Sequence, residues 1–148
     1  MASRLSLLGL VLALASCNGS DRDELCQGGM SAWQSDLAQA TARLDLQSPA
    51  VAQEPGSRRP AAVAPLDLEL RNEWKDWSVD RLKEIQRALD VVGSRSELSN
   101  AAVEIMSFYG FAAAGRPDLM RSALDDVKQS LDRAAAENCP AAAPSSSH

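Results

Sequence analysis

Apolar side chains recur at steps of three and four over most of this chain, and clusters of proline, glycine and polar residues interrupt them. Cys26, Met30, Trp33, Leu37, Ala40 and Leu44 follow one another at intervals of 4, 3, 4, 3 and 4, which places them on one face of a helix. Gly28 and Gly29 fall inside that run. Each costs about 1 kcal/mol against alanine in a helix interior, so the first turns are expected to fray or the helix to begin at Met30. Residues 47–65, QSPAVAQEPGSRRPAAVAP, hold four prolines and a glycine without periodicity and are expected to form a mobile linker. The second helix is expected over Leu66 to Val92. Its stripe is Leu70, Trp74, Trp77, Leu82, Ile85, Ala88, Leu89 and Val92, with an acidic flank of Glu69, Glu73, Asp76, Asp80 and Glu84. Gly93 ends it, because glycine enters positive φ without steric cost.

Ser94-Arg95-Ser96-Glu97 has the spacing of a capping box, with Ser94 as N-cap and Glu97 in the first turn of a third helix. That helix should run to about Ala114, burying Leu98, Ala101, Ala102, Ile105, Tyr109 and Ala112, with Met106 and Phe108 at the edges. Gly115 closes it, and Pro117 suits the first position of a fourth helix. There Met120, Leu124, Val127, Leu131 and Ala134 repeat the 4, 3, 4, 3 spacing up to Cys139-Pro140. Val, Ile and Thr are scarce and never alternate at period two, so the fold class is all-α. Short connections make helices two, three and four antiparallel neighbours in a small bundle, and the long linker lets helix one return beside helix four. Cys26 and Cys139 then meet at one end of the bundle, where a disulfide forms if the compartment is oxidising.

The chain ahead of the bundle has a different pattern. Arg4 precedes twelve apolar or small residues, Leu5 to Ser16, too few for the roughly 20 that a spanning helix needs. Leu14-Ala15-Ser16-Cys17 resembles the lipobox of bacterial lipoproteins. The resemblance covers only the first seventeen residues. It implies a signal peptide over 1–16, cleavage before Cys17, and acyl chains, diacylglycerol and palmitate among them, on that cysteine. Ordinary secretion is the alternative, since Ala13-Leu14-Ala15 is itself a small-x-small cleavage site. Cysteine parity favours acylation: lipidation of Cys17 leaves the even pair Cys26 and Cys139. In that class an aspartate after the cysteine commonly marks retention at the inner membrane. Asn18 stands here, so the resemblance implies an outer-membrane lipoprotein facing the periplasm. Residues 18–24 read as a polar tether. The domain then spans 25–139, and the tail 140–148 has nothing to bury.

Composition narrows the function classes. Loss of Arg4 with the leader leaves 14 basic against 20 acidic residues, a net charge of −6, which argues against nucleic acid as a partner. The only histidine is His148 in the tail, so histidine-based nucleophilic systems and histidine metal sites are absent. No cofactor or metal is expected, and no enzyme. Carboxylates on the helix-two flank (Asp76, Asp80, Glu84), and the pair Asp125 and Asp126, read as solvated faces, with a loose divalent-cation site on that flank as the sharper alternative.

Five residues remain as candidates for binding. Trp74 and Trp77 lie on an apolar stripe and either pack the core or line a groove. Arg81 falls inside the same stripe, either snorkelling to water or meeting a carboxylate of a neighbouring helix or a ligand. Tyr109 would join them in a cavity between helices. Phe111 lies on the polar back of helix three, folded against Leu119 or exposed to a partner. The leading expectation is a lipid-anchored envelope module that binds or positions another envelope protein. The rival is a small lipoprotein holding an amphiphile or glycan between its helices.

Overall fold

The computed structural model describes residues 19–48, 55–56, 63–93 and 96–140. The candidate lipobox, most of the 47–65 linker and the tail 141–148 lie outside them. Four long helices, α1 (Met30–Gln47), α2 (Leu68–Val92), α3 (Leu98–Ala113) and α4 (Pro117–Asn138), form an all-α antiparallel bundle.

Of the two outcomes expected at the glycine pair, the structure shows the second: the α-helix proper begins at Met30, without fraying ahead of it. Residues 19–24, read from sequence as a tether, are already helical, and Leu25–Gly29 form one wide π turn in which the Met30 N–H donates to the Leu25 carbonyl five residues back. A Cβ on Gly29 would stand 3.1 Å from Leu25 Cδ1, so glycine there lets Leu25 lie back into the core. Beyond the turn, Met30, Leu37, Ala40 and Leu44 are buried on one face.

Helix α2 begins two residues later than its apolar pattern suggests, because the Asp67 carboxylate caps it by accepting the Leu70 N–H at 2.9 Å. Gly93 ends it at φ +91°. Ser94, the expected N-cap, lies outside the described residues. Helix α3 starts after Glu97, where the Ser96 hydroxyl accepts the Leu98 N–H at 3.0 Å. Glu97 is engaged elsewhere, accepting from Asn100 Nδ2 at 2.8 Å and Arg133 Nε at 3.1 Å. Those donors, Asn100 first, hold its carboxyl below the usual glutamate range.

The turn between α3 and α4 requires glycine. Gly115 has φ +67°, and a Cβ there would meet the Arg71 guanidinium at 2.5–2.8 Å. Arg71 Nε donates to the Leu66 carbonyl at 2.7 Å, and the Leu66 N–H donates to the Gly115 carbonyl at 3.2 Å. This knot fastens the start of α2 to the α3–α4 corner. Pro117 opens α4, and Arg116 holds the Asp118 carboxylate with two hydrogen bonds of 3.0 and 2.8 Å.

Helix α3 packs between α2 and α4, and α1 packs along α4. Cys26 and Cys139 are joined by a disulfide across the ends of α1 and α4, with Cα atoms 5.4 Å apart. Among the described residues no helix is long and apolar enough to cross a membrane.

Candidate functional site

The backbones of α1 and α2 stand farther apart than those of the other adjacent helices, and side chains close the seam. From the open-linker end downward, Gln47 Oε1 accepts the Trp74 indole N–H at 2.8 Å. Arg43 then pairs with Glu73 and lies 4.4 Å over the Trp74 ring. Arg81 Nη1 follows, meeting Glu84 Oε2 at 2.9 Å and Asp36 Oδ2 at 3.6 Å. The Trp33 indole N–H donates to the same Glu84 oxygen at 3.0 Å.

Of the two readings of Arg81, snorkelling to water or meeting a carboxylate, the geometry matches the second. Its side chain is 27% exposed, its head meets carboxylates of α1 and α2, and its Nε is buried with no acceptor among the described residues. An unpaired donor of this kind costs about 1–3 kcal/mol where water cannot reach it. Arg81 and Asp36 cap a small cleft of about 20 Å³ whose floor is Trp33, Leu37, Trp77, Ile85, Ile105 and Val127. That is room for a single water, whereas small-molecule sites run to several hundred Å³. The seam as it stands is too narrow for such a ligand.

The structure separates the five candidates. Trp74 is fully buried and forms edge-on contacts with Trp77 and Phe108 at 5.7 Å each, while Trp77 and Phe108 stand 5.2 Å apart. Trp74 is core, and Trp77 packs half-buried against it and reaches the space beside Arg81. Tyr109 is not with them. It is 40% exposed on the other side of α2, its ring 5.7 Å from Lys75 Nζ, in a shallow groove of about 350 Å³ with Val79, Leu82 and Met106. Phe108, assigned to an edge, fills the core in its place, because the buried arc of α3 is set by two neighbours and turns toward α4. Phe111 is half-buried against the core rather than presented outward.

Sequence reasoning missed Asp36 and the role of Trp33. Both lie beside Leu37 on α1, and only the register of α1 against α2 brings them to Arg81. The acidic flank of α2 is largely committed to cations, Glu73 to Arg43, Asp80 to Lys83 and Glu84 to Arg81. Among the described residues no three metal-ligating side chains converge. Comparison of the chain with protein-family models, with curated proteins and with solved structures finds no match.

Proposed function

We propose that this protein is a lipid-anchored, non-enzymatic helical module of the cell envelope, facing the periplasm from the outer membrane, that binds or positions another envelope protein. The observation that carries the reading is Leu14-Ala15-Ser16-Cys17, a lipobox-like end to a short apolar leader. The Cys26–Cys139 disulfide supports it, since such bonds persist in oxidising compartments. Helix beginning by residue 19 would hold the bundle close to the lipid on Cys17. Support for a non-catalytic role comes from the composition: the single histidine lies at the last position, and the paired carboxylates sit on exposed helix faces.

Mass spectrometry of the mature protein tests the anchor: the expected product starts at Cys17 with added acyl mass, and a free thiol there refutes it. Crosslinking in intact envelopes followed by capture tests the partner, with a discrete second protein expected. A second reading has one observation in its favour, the buried Nε of Arg81 above an apolar space. In that reading the seam opens to admit an amphiphile, and saturable quenching of tryptophan fluorescence by a fatty acid or lysophospholipid is its signature. Flat titrations dispose of it.

A further inference from the structure

Helix α1 is held differently from the other three. Five residues, 93–97, separate α2 from α3 and three, 114–116, separate α3 from α4, whereas twenty, 48–67, separate α1 from α2. The backbones of α2, α3 and α4 approach closely along shared faces, and α1 approaches chiefly α4. Across the seam with α2 its contacts run through long side chains: Gln47 with Trp74, Arg43 with Glu73, and Trp33 and Asp36 with the Arg81–Glu84 pair. Three buried side-chain atoms lack a hydrogen bond among the described residues: Arg43 Nη2 (although Arg43 is ion-paired with Glu73), Ser48 Oγ and Arg81 Nε. All three belong to this seam or to the α1 C-cap, Ser48. Burial without a hydrogen bond is costly, so this seam is the least satisfied part of the described bundle.

The two ends of α1 are also unlike. At its start the Cys26–Cys139 disulfide ties it to α4, Arg22 Nε donates to the Asn138 carbonyl at 3.3 Å, and Leu25 is buried. At its Gln47 end the ties are hydrogen bonds and an ion pair, from Trp74 to Gln47 and from Arg121 to Asp45 and the Ser48 carbonyl. We infer that α1 is a hinged flap, swinging away from α2 at its Gln47 end and pivoting on the disulfide while α2, α3 and α4 stay packed. Partly exposed pairs such as Arg121–Asp45 contribute little to holding it, because water replaces them. Leu37, Ala40 and Leu44 leave the core on opening, which keeps the closed form dominant. Openings of this kind fall between fraying and complete unfolding in free energy. The open form uncovers Trp77, Ile85 and Val127 beside Arg81, an apolar floor with a cation at its edge. That is the room the amphiphile reading needs and the closed cleft lacks. The inference rests on that reading only for what enters, not for the motion.

Thiol labelling of the full-length protein, its disulfide intact, tests the motion. Val127→Cys places a thiol in the cleft floor shared with α1, and Ser78→Cys, a near-isosteric change, places one on the side of α2 that faces α3. Both positions are 1% exposed in the closed form. Without denaturant, N-ethylmaleimide should modify Val127→Cys at least tenfold faster than Ser78→Cys, because the flap uncovers only the first. Hydrogen exchange of the unsubstituted protein supplies a second measurement. Amides of Leu37–Gln47 should exchange at least tenfold faster than the buried turns of α3 and α4, while Leu25–Trp33 stay protected beside the pivot. Equal labelling of the two thiols would overturn the inference, since α1 would then part only when the whole bundle unfolds. So would equal exchange along all of α1, which would mean that it departs without a pivot. Tryptophan titration with a fatty acid decides separately what uses the opening: fast labelling of Val127→Cys with a flat titration keeps the flap and removes the ligand.

Discussion

Replacing Cys26 and Cys139 together by serine removes a crosslink that closes 113 residues of chain. The bond joins the π turn before α1 to the end of α4, so it spans nearly the whole bundle and restrains the unfolded chain more than any local bridge would. On the chain-entropy relation, a loop of this length lowers the entropy of the unfolded state enough to stabilise the fold by about 5 kcal/mol at 25 °C. That is a large share of the total stability of a small domain. It corresponds to a fall in Tm of about 15 °C for a chain of this size. The measurement is urea and thermal unfolding of the double variant against the parent, each with and without reductant. The variant should lose stability and gain a larger urea dependence, since its unfolded chain expands further. Reductant should move only the parent. Folding should slow more than unfolding accelerates if the effect acts through the unfolded ensemble. A loss below about 1 kcal/mol, or a parent indifferent to reductant, would refute the reasoning.

Three further outcomes follow from local geometry. Gly115→Ala should destabilise by about 1–3 kcal/mol, because alanine resists φ +67° and its Cβ displaces the Arg71 guanidinium. A double-mutant cycle with Arg71→Ala should recover part of that loss. Arg81→Met keeps the methylenes but leaves Asp36 and Glu84 facing each other without a cation. After allowance for partial exposure the cost should be about 1 kcal/mol, read by urea unfolding, with altered Trp33 fluorescence as the local signature. Acid should weaken the fold through Glu97 and Asp118. Their folded values lie below the ordinary 4.5 and 3.8, held down by hydrogen bonds from Asn100 and Arg133 and from Arg116. The stability they contribute is present above those ordinary values and is lost as pH falls through the lowered ones. Urea midpoints between pH 7 and pH 3 should therefore decline less in Glu97→Gln than in the parent.

Periodicity alone carried the fold class, because a face repeated at three and four residues has only a helix to form and, across short turns, only an antiparallel neighbour to bury it. The positions of Cys26 and Cys139 then made one bundle end predictable, and the structure joins them there. Arg81 was legible as an anomaly, a cation inside an apolar stripe, but Asp36 and Trp33 were not legible as its company. Nothing in the local sequence of α1 states which turn of α2 it faces. The same limit explains Phe108 and Tyr109: adjacent residues differ by about 100° around a helix, and which of the two is buried depends on how two neighbouring helices share the face. The pairing of Glu97 with Arg133 was illegible for a related reason, since Arg133 lies on a distant helix. Spacing along the chain thus determined which elements form and in what order, because those choices rest on local geometry. The meeting of α1 with α2 across the seam and the choice of Phe108 over Tyr109 for the core were decided only by tertiary register, because each depends on residues far apart in the chain.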